Sequence, residues 1–169
     1  MSKQIIEVYD IEVLSNCFTY TGLDIYTKTW YQFVIHYSRN DVKELIDHLT
    51  RKELILVGFN NEKYDYPILH HLLNHKEDYI SLNPITLTQL LYDKSQEIIS
   101  MEFSAIADKN KFIPQIDLFL IWHYNNKARH CSLKQLEVAM RLPNVEDMPI
   151  HHTKYCTEED IPIILSYNK

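Results

Sequence analysis

The chain has 169 residues, of which 46% are hydrophobic and 24% are charged, and its net charge is −6. These values indicate a globular chain that forms one domain over residues 1–169, and they exclude low-complexity and collagen-like classes. The negative balance argues against a protein that holds nucleic acid mainly through a basic surface, but it leaves open enzymes whose sites are built from carboxylates.

The cysteines and the apolar runs bear on where the protein works. The three cysteines, Cys17, Cys131 and Cys156, are widely spaced, which predicts free thiols in a reducing compartment. No apolar run reaches the length of a membrane span, and the first residues do not resemble a secretory signal. We therefore expect an intracellular, cytoplasmic protein with no membrane partner.

The N-terminal part of the chain predicts a sheet. Residues 4–13, 16–22 and 29–37 are rich in β-branched and aromatic side chains, which is typical of strands. The connections between them are short, with turns expected near Ser15 and near Gly22-Leu23-Asp24, so the strands are predicted to form an antiparallel meander.

The first predicted strand carries two carboxylates, Asp10 and Glu12, on one face, because side chains alternate along a strand. Such a pair in an otherwise apolar strand is costly unless something neutralises it. A divalent cation would do so, since carboxylate oxygens suit hard ions such as Mg²⁺ and Mn²⁺. The alternative is a strand face that is simply exposed to water.

The middle of the chain predicts alternating helices and strands. Apolar residues at helical spacing predict a helix over 41–52, and a short apolar run predicts a buried parallel strand over 54–59. A helix is expected over 66–74. Weaker patterns favour a helix over 86–93 and a strand over 97–103.

The most specific segment connects the strand over 54–59 to the following helix and reads Gly-Phe-Asn-Asn-Glu-Lys-Tyr-Asp-Tyr-Pro from Gly58 to Pro67. It places Asn60, Tyr64 and Asp65 just before a helix, with Pro67 in the first turn. Proline favours that position, so Asp65 could also be an ordinary helix cap.

The C-terminal third predicts one strand and two helices. The apolar run 116–121, with Asp117 near its start, predicts a strand. A capping box at Ser132 predicts a helix that ends near Arg141. A last helix is expected from Glu158 onward, with its only proline in the first turn.

Asp10-Ile11-Glu12, followed by Asn60 and by Tyr64-Asp65, resembles the first two motifs of DEDD-type 3′–5′ exonucleases. The closest likeness is to the proofreading domain of family B DNA polymerases from phage or bacteria. The resemblance implies an α/β fold of the ribonuclease H-like type. Its mixed five-stranded sheet would have three antiparallel N-terminal strands, then parallel strands, with helices on both faces. It also implies hydrolysis of DNA from the 3′ end by a two-metal mechanism.

The resemblance assigns roles to five residues. Asp10, Glu12 and Asp65 would be catalytic metal ligands, with two Mg²⁺ or Mn²⁺ ions in the complete site. Asn60 would contact the substrate or order its loop, and Tyr64 would pack under the site, near the substrate. The implied substrate is the 3′ end of single-stranded DNA, and the implied partners are a polymerase domain or replication proteins. A phage-encoded protein would act in the host cytoplasm.

The third motif of the resemblance is a tyrosine followed four residues later by an aspartate. The segment Ser166–Lys169 resembles its start, so Tyr167 would orient the attacking water, and the aspartate would follow Lys169. Two acids within the sequence could replace it. Asp160 is better explained as a helix cap, and Asp117 as a partner of neighbouring backbone.

Three hypotheses stay open at this point. The chain belongs to an active exonuclease whose fourth acid follows Lys169, or it is a catalytically impaired module that binds nucleic acid or a partner. In the third hypothesis, a second copy or another chain supplies the missing acid in trans.

Overall fold

The computed structural model describes residues 4–102, 104–124, 131–143, 150–151 and 154–169, which form an α/β structure around one mixed sheet. The strands are β1 Ile5–Leu14, β2 Cys17–Asp24, β3 Trp30–His36, β4 Arg39–Asn40, β5 Leu54–Gly58 and β6 Gln115–Asp117. The helices are α1 Val42–Leu49, α2 Asp65–Asn74, α3 Lys76–Tyr79, α4 Pro84–Ser100, α5 Leu118–Trp122, α6 Leu133–Ala139 and α7 Asp160–Tyr167, with a 3-10 turn at Asp108–Asn110.

The described strands lie in the order β4-β3-β2-β1-β5-β6. The first strand is central, since β1 pairs antiparallel with β2 and parallel with β5. The α/β class and the mixed sheet are therefore confirmed. The sheet has six strands rather than the expected five, because β4 adds an edge that is only two residues long. A segment that short carries no alternation by which the sequence could indicate it.

The core lies on two faces of the sheet, because neighbouring residues of one strand point to opposite sides. Phe18 and Ile35 pack in a large apolar cluster with residues of α1, α2 and α4. Cys17 and Val34 pack in a smaller cluster with residues of α7. Helices thus cover both faces in the described part of the chain, and α7 is the helix on the second face.

Several helix ends are where the sequence predicts them. Pro67 lies in the first turn of α2, and Pro162 is the third residue of α7, where the missing N–H removes no helical bond. Ser132 and Gln135 form the expected capping box at the start of α6. Each of these signals is local, and each is confirmed.

Two predictions of local structure are wrong. The strand expected over 97–103 is not formed, because α4 continues to Ser100, and Phe103 lies outside the described residues. The strand expected over 116–121 ends at Asp117, so that residue closes a strand rather than opening one. Its side chain accepts a hydrogen bond from the Phe119 backbone N–H at 2.9 Å, which caps α5.

The turn expected near Gly22-Leu23-Asp24 begins only after Asp24, because β2 continues to that residue, and Gly22 lies inside the strand opposite Tyr9. It faces Glu7, a fully buried carboxylate of β1. Glu7 accepts a hydrogen bond from the Tyr20 hydroxyl at 2.5 Å and pairs with the His48 imidazole at 3.0 Å. A Cβ atom on Gly22 would overlap the Glu7 carboxylate, so the glycine leaves the space that this buried acid occupies.

Candidate active site

The two carboxylates of β1 lie on the face that α7 covers. Tyr9 and Ile11 belong to the large cluster on the other face, so the alternating positions, Asp10 and Glu12, point toward α7. Asp10 is exposed and Glu12 is half-buried. The predicted common face of this pair follows directly from the strand.

The loop from β5 to α2 brings the second motif to the same place. Because β5 runs parallel to β1, its C-terminal end lies beside the middle of β1, where the acids are. Asn60 has a left-handed backbone, with φ of 61°, which asparagine tolerates better than most residues. Asn61 is buried and donates from its carboxamide to Gln115 Oε1 at 2.9 Å. The loop is therefore anchored on β6.

Asp117 of β6 holds this loop through hydrogen bonds to its backbone. Its carboxylate accepts the backbone N–H groups of Asn60 at 2.8 Å and Glu62 at 3.2 Å, besides that of Phe119 described above. These bonds occupy its oxygens and support the interpretation of Asp117 as a partner of neighbouring backbone. The loop that carries Asp65 is held by a carboxylate that the motif itself does not include.

The acids of the two motifs form one electrostatic group. Burial raises the pKa of Asp65 well above its ordinary value, and the charges of Asp10, Glu12 and Asp117 raise it further. Partial burial, followed by the charge of Asp10, raises the pKa of Glu12 to about 8. Asp10 is exposed as a residue, but the protein atoms around its carboxylate limit hydration, and this raises the pKa of Asp10 to about 6. The carboxylates of Asp10, Glu12 and Asp65 therefore lie close enough to repel one another.

Tyr64 lies next to this group. Burial raises the pKa of Tyr64, and so do the charges of Asp65, Glu12 and Asp10. Its hydroxyl is 2.8 Å from Ser95 Oγ of α4, and its ring packs against the large cluster. This placement fits the expectation that Tyr64 packs beneath the site.

An open cavity of about 500 Å³ is lined by Asp10, by Tyr167 of α7 and by a second acid, Glu137 of α6. Its lining also contains aromatic rings and ammonium groups, namely Trp30, Phe59, Lys134 and Lys169. The Lys169 Nζ lies 5.9 Å from the centre of the Trp30 ring. The sequence analysis assigned no role to Trp30 or Phe59. Phe59 lies within the segment from Gly58 to Pro67, whereas the place of Trp30 depends on how the strands pair.

Asp160, the other alternative for the fourth acid, is occupied elsewhere. Its carboxylate accepts the Thr157 backbone N–H at 2.9 Å and pairs with the Lys154 ammonium at 2.9 Å. These bonds, the Thr157 N–H first, lower the pKa of Asp160 to about 2. The contacts support a role at the start of α7 rather than at the site.

The carboxylates of Asp10, Glu12 and Asp65 are of the donor type that binds hard metal ions. Carboxylate oxygens are the ligands that Mg²⁺ and Mn²⁺ prefer, and the mutual repulsion of these acids is what a cation relieves. In the part of the chain that the structure describes, however, no three His, Cys, Asp or Glu side chains converge closely enough to hold a metal ion. The donor atoms are thus of the type that suits Mg²⁺ or Mn²⁺, but their positions define no coordination geometry.

No protein-family model matches the chain, and no curated protein matches it significantly. Among the helices of the described residues, none has the length and apolar character that a membrane crossing requires.

We expect the carboxylates of Asp10, Glu12 and Asp65 to make the free energy of unfolding of the metal-free protein depend on pH. The pKa of Glu12 is raised from 4.5 to about 8 in the folded protein, so unfolding releases a proton between these values. The contribution of Glu12 to the free energy of unfolding should therefore be largest below pH 4.5 and fall as the pH rises toward 8. The contribution of Glu12 has a slope of at most about 1.4 kcal/mol per pH unit.

Chemical denaturation with EDTA at several pH values would measure this dependence, with Glu12→Gln as the matched variant. The variant should lose stability less steeply than the parent chain over the same interval. Parallel curves for the two proteins would show that Glu12 titrates normally in the fold.

Proposed function

We propose that this chain is a metal-dependent 3′–5′ exonuclease domain of the ribonuclease H-like type that acts on the 3′ end of single-stranded DNA. The observation that carries the proposal is the electrostatic group of Asp10, Glu12 and Asp65, of which Asp10 lines a cavity together with Tyr167. These residues come from distant parts of the sequence, in the order that the resemblance to the exonuclease motifs implies.

The sheet supports the same proposal. A central first strand, antiparallel to the second strand and parallel to a later one, is the arrangement that the ribonuclease H-like expectation requires. In this arrangement β1 presents its acids at the middle of the sheet. The loop after β5 then supplies the third acid from a neighbouring element.

The three carboxylates would be the residues that hold the metal ions. Bound Mg²⁺ or Mn²⁺ supplies the Lewis acidity that phosphodiester hydrolysis needs near neutral pH. Asp10 and Glu12 would approach from the strand, and Asp65 from the start of α2. Their raised pKa values mean that protons compete with the metal, so binding should strengthen as the pH rises.

The cavity lining fits a single-stranded end. Unpaired bases stack on aromatic side chains, and Trp30 and Phe59 supply such rings here. The ammonium group of Lys134 can meet a phosphate, which offsets the negative charge that the carboxylates bring. Tyr167, with its ring in the same cavity, can orient a water molecule near Asp10.

A second candidate is a module that binds a single-stranded end without cleaving it. The observation that favours it is the lack, in the described residues, of three metal-ligating side chains that converge. The same cavity would then hold the strand, and its acids would weaken binding through repulsion rather than promote reaction.

An assay with 5′-labelled single-stranded DNA and RNA in Mg²⁺ or Mn²⁺ tests the proposal. A second version adds two residues after Lys169, the second an aspartate, which places a carboxylate four residues after Tyr167. We expect stepwise shortening from the 3′ end that Glu12→Gln abolishes, by the chain itself or by the lengthened version. Binding of the oligonucleotide without shortening by either version would favour the second candidate. If the oligonucleotide were neither bound nor shortened, the proposal would be overturned.

A further inference from the structure

Two buried thiols meet where α7 joins the sheet. Cys17 is the first residue of β2, Cys156 lies shortly before α7, and the two residues are 1% and 0% exposed. A hydrogen bond from the Cys17 thiol shifts the pKa of Cys156, and the Cys156 Sγ itself donates to the Thr157 carbonyl oxygen at 3.4 Å. Both lie in the apolar cluster that Ile161 and Ile164 of α7 close. The contact therefore joins two distant parts of the chain.

The backbone around the pair is fixed. The Asn16 carboxamide donates to the Cys156 carbonyl at 2.8 Å, and its oxygen accepts the Cys156 backbone N–H at 2.8 Å. A ring nitrogen of His36 lies 3.3 Å from the same carbonyl. Because Asn16 is the direct neighbour of Cys17, it holds the backbone of Cys156 next to the other thiol.

The two thiols are chemically unequal. The hydrogen bond from Cys17 lowers the pKa of the Cys156 thiol, against the opposing effects of burial and of Asp160. The same bond and burial raise the pKa of Cys17, which keeps its proton. The thiolate is the nucleophilic form, so Cys156 is suited to react first and Cys17 to resolve the product.

We propose that Cys17 and Cys156 are an oxidative modification site, at which a hydroperoxide converts the two thiols into an intramolecular disulfide. The Cys156 thiolate attacks the O–O bond of the peroxide, which leaves Cys156 as a sulfenic acid and releases hydroxide. Cys17 then attacks this sulfur and displaces the second oxygen. Two thiols and one hydrogen peroxide give one disulfide and two waters, and both electrons come from the sulfurs.

The oxidant must be small, because both cysteines are buried. Hydrogen peroxide meets this requirement, whereas a bulky disulfide reagent needs the α7 side of the sheet to open first. Cys131 is half-buried and contacts His123 rather than this pair, so it provides an internal comparison. The inference does not depend on the proposed nuclease function.

The cross-link would tie the segment before α7, and through it the helix that carries Tyr167, to β2. The sulfurs must move from hydrogen-bond contact to about 2 Å. A disulfide that closes a loop of this kind restricts the unfolded chain, which we expect to raise the melting temperature by roughly 10 °C.

The experiment treats the folded chain with hydrogen peroxide, blocks the remaining thiols under denaturing conditions and maps the peptides without reduction. We expect a cross-linked peptide pair that contains Cys17 and Cys156, lighter than the two separate peptides by about 2 Da, the mass of two hydrogens. The melting temperature should rise and should return after reduction.

Cys131→Ser keeps both thiols of the pair and should form the same cross-link as the parent chain. Cys17→Ala and Cys156→Ala should each lack it, and Asn16→Ala should form it more slowly, because Cys156 is then less firmly held. The inference would be overturned if the oxidised parent chain kept both thiols free or formed sulfinic acid instead. Cross-links through Cys131 or between two chains would overturn it as well.

Discussion

Replacing Asp65 by asparagine should lower the rate of 3′-end removal by roughly 10³-fold and should also make the metal-free protein more stable. The first effect follows because Asp65 would be a metal ligand in the proposed site. The second follows because Asp65 is buried among the charges of Asp10, Glu12 and Asp117, which raise its pKa. Asparagine has the same shape and carries no charge, so the folded protein no longer has to hold an ionised carboxylate at this position. We expect the melting temperature in EDTA to rise by about 2–4 °C.

This pair of effects separates a functional acid from a structural one. If Asp65 were only a cap for α2, its replacement would lower stability and leave catalysis largely intact. Asp47→Asn is the matched control, since Asp47 is an exposed acid of α1. It should change neither quantity. A destabilised Asp65→Asn protein with normal turnover would contradict the assignment.

Gly22→Ala should reduce the free energy of unfolding by about 3 kcal/mol or more, the range of severe overpacking in a core. The added methyl group would overlap the carboxylate of Glu7, which is held by Tyr20 and His48. Glu7 cannot move aside without leaving these partners, and an unpaired buried acid is itself costly. Urea unfolding of the purified protein measures the change.

A double-mutant cycle tests the cause. In a Glu7→Ala background the carboxylate is gone, so Gly22→Ala should cost much less than it does in the parent chain. Glu7→Ala will itself destabilise the fold, because Tyr20 and His48 lose their acceptor. Equal costs of Gly22→Ala in both backgrounds would locate the damage in the strand backbone instead.

The local signals of the sequence predict most of the elements. The three N-terminal strands, α1, β5 and α2 are formed within one to three residues of their predicted bounds. Alternation in β1 was sufficient to place Asp10 and Glu12 on one face. These features depend on residues close together in the chain, so pattern and propensity determine them.

The features that the sequence did not predict depend on distant contacts. Glycine is typical of turns, and the buried carboxylate of Glu7 that lies against Gly22 explains its place in a strand. The role of Asp117 depends on the loop at Asn60 and Glu62, which comes from another part of the chain. The lining of the cavity likewise combines strands and helices, so no single segment could indicate that Trp30 belongs to it.

The outer edge of β3 has a consequence for how the protein behaves at high concentration. Among the residues that the structure describes, β4 pairs only with the end of β3, and no strand lies beside the rest of this edge. Unpaired strand edges can bind a strand of another molecule. Side chains occupy this edge: the Asp41 carboxylate accepts the Val34 N–H at 2.9 Å, and the Arg39 guanidinium donates to the Gln32 carbonyl at 3.4 Å. The Arg39 Nε and Asp41 Oδ2 atoms are 2.6 Å apart, so a charged pair lies on this edge. Because the pair occupies backbone groups of β3, we expect it to oppose edge-to-edge aggregation at high protein concentration.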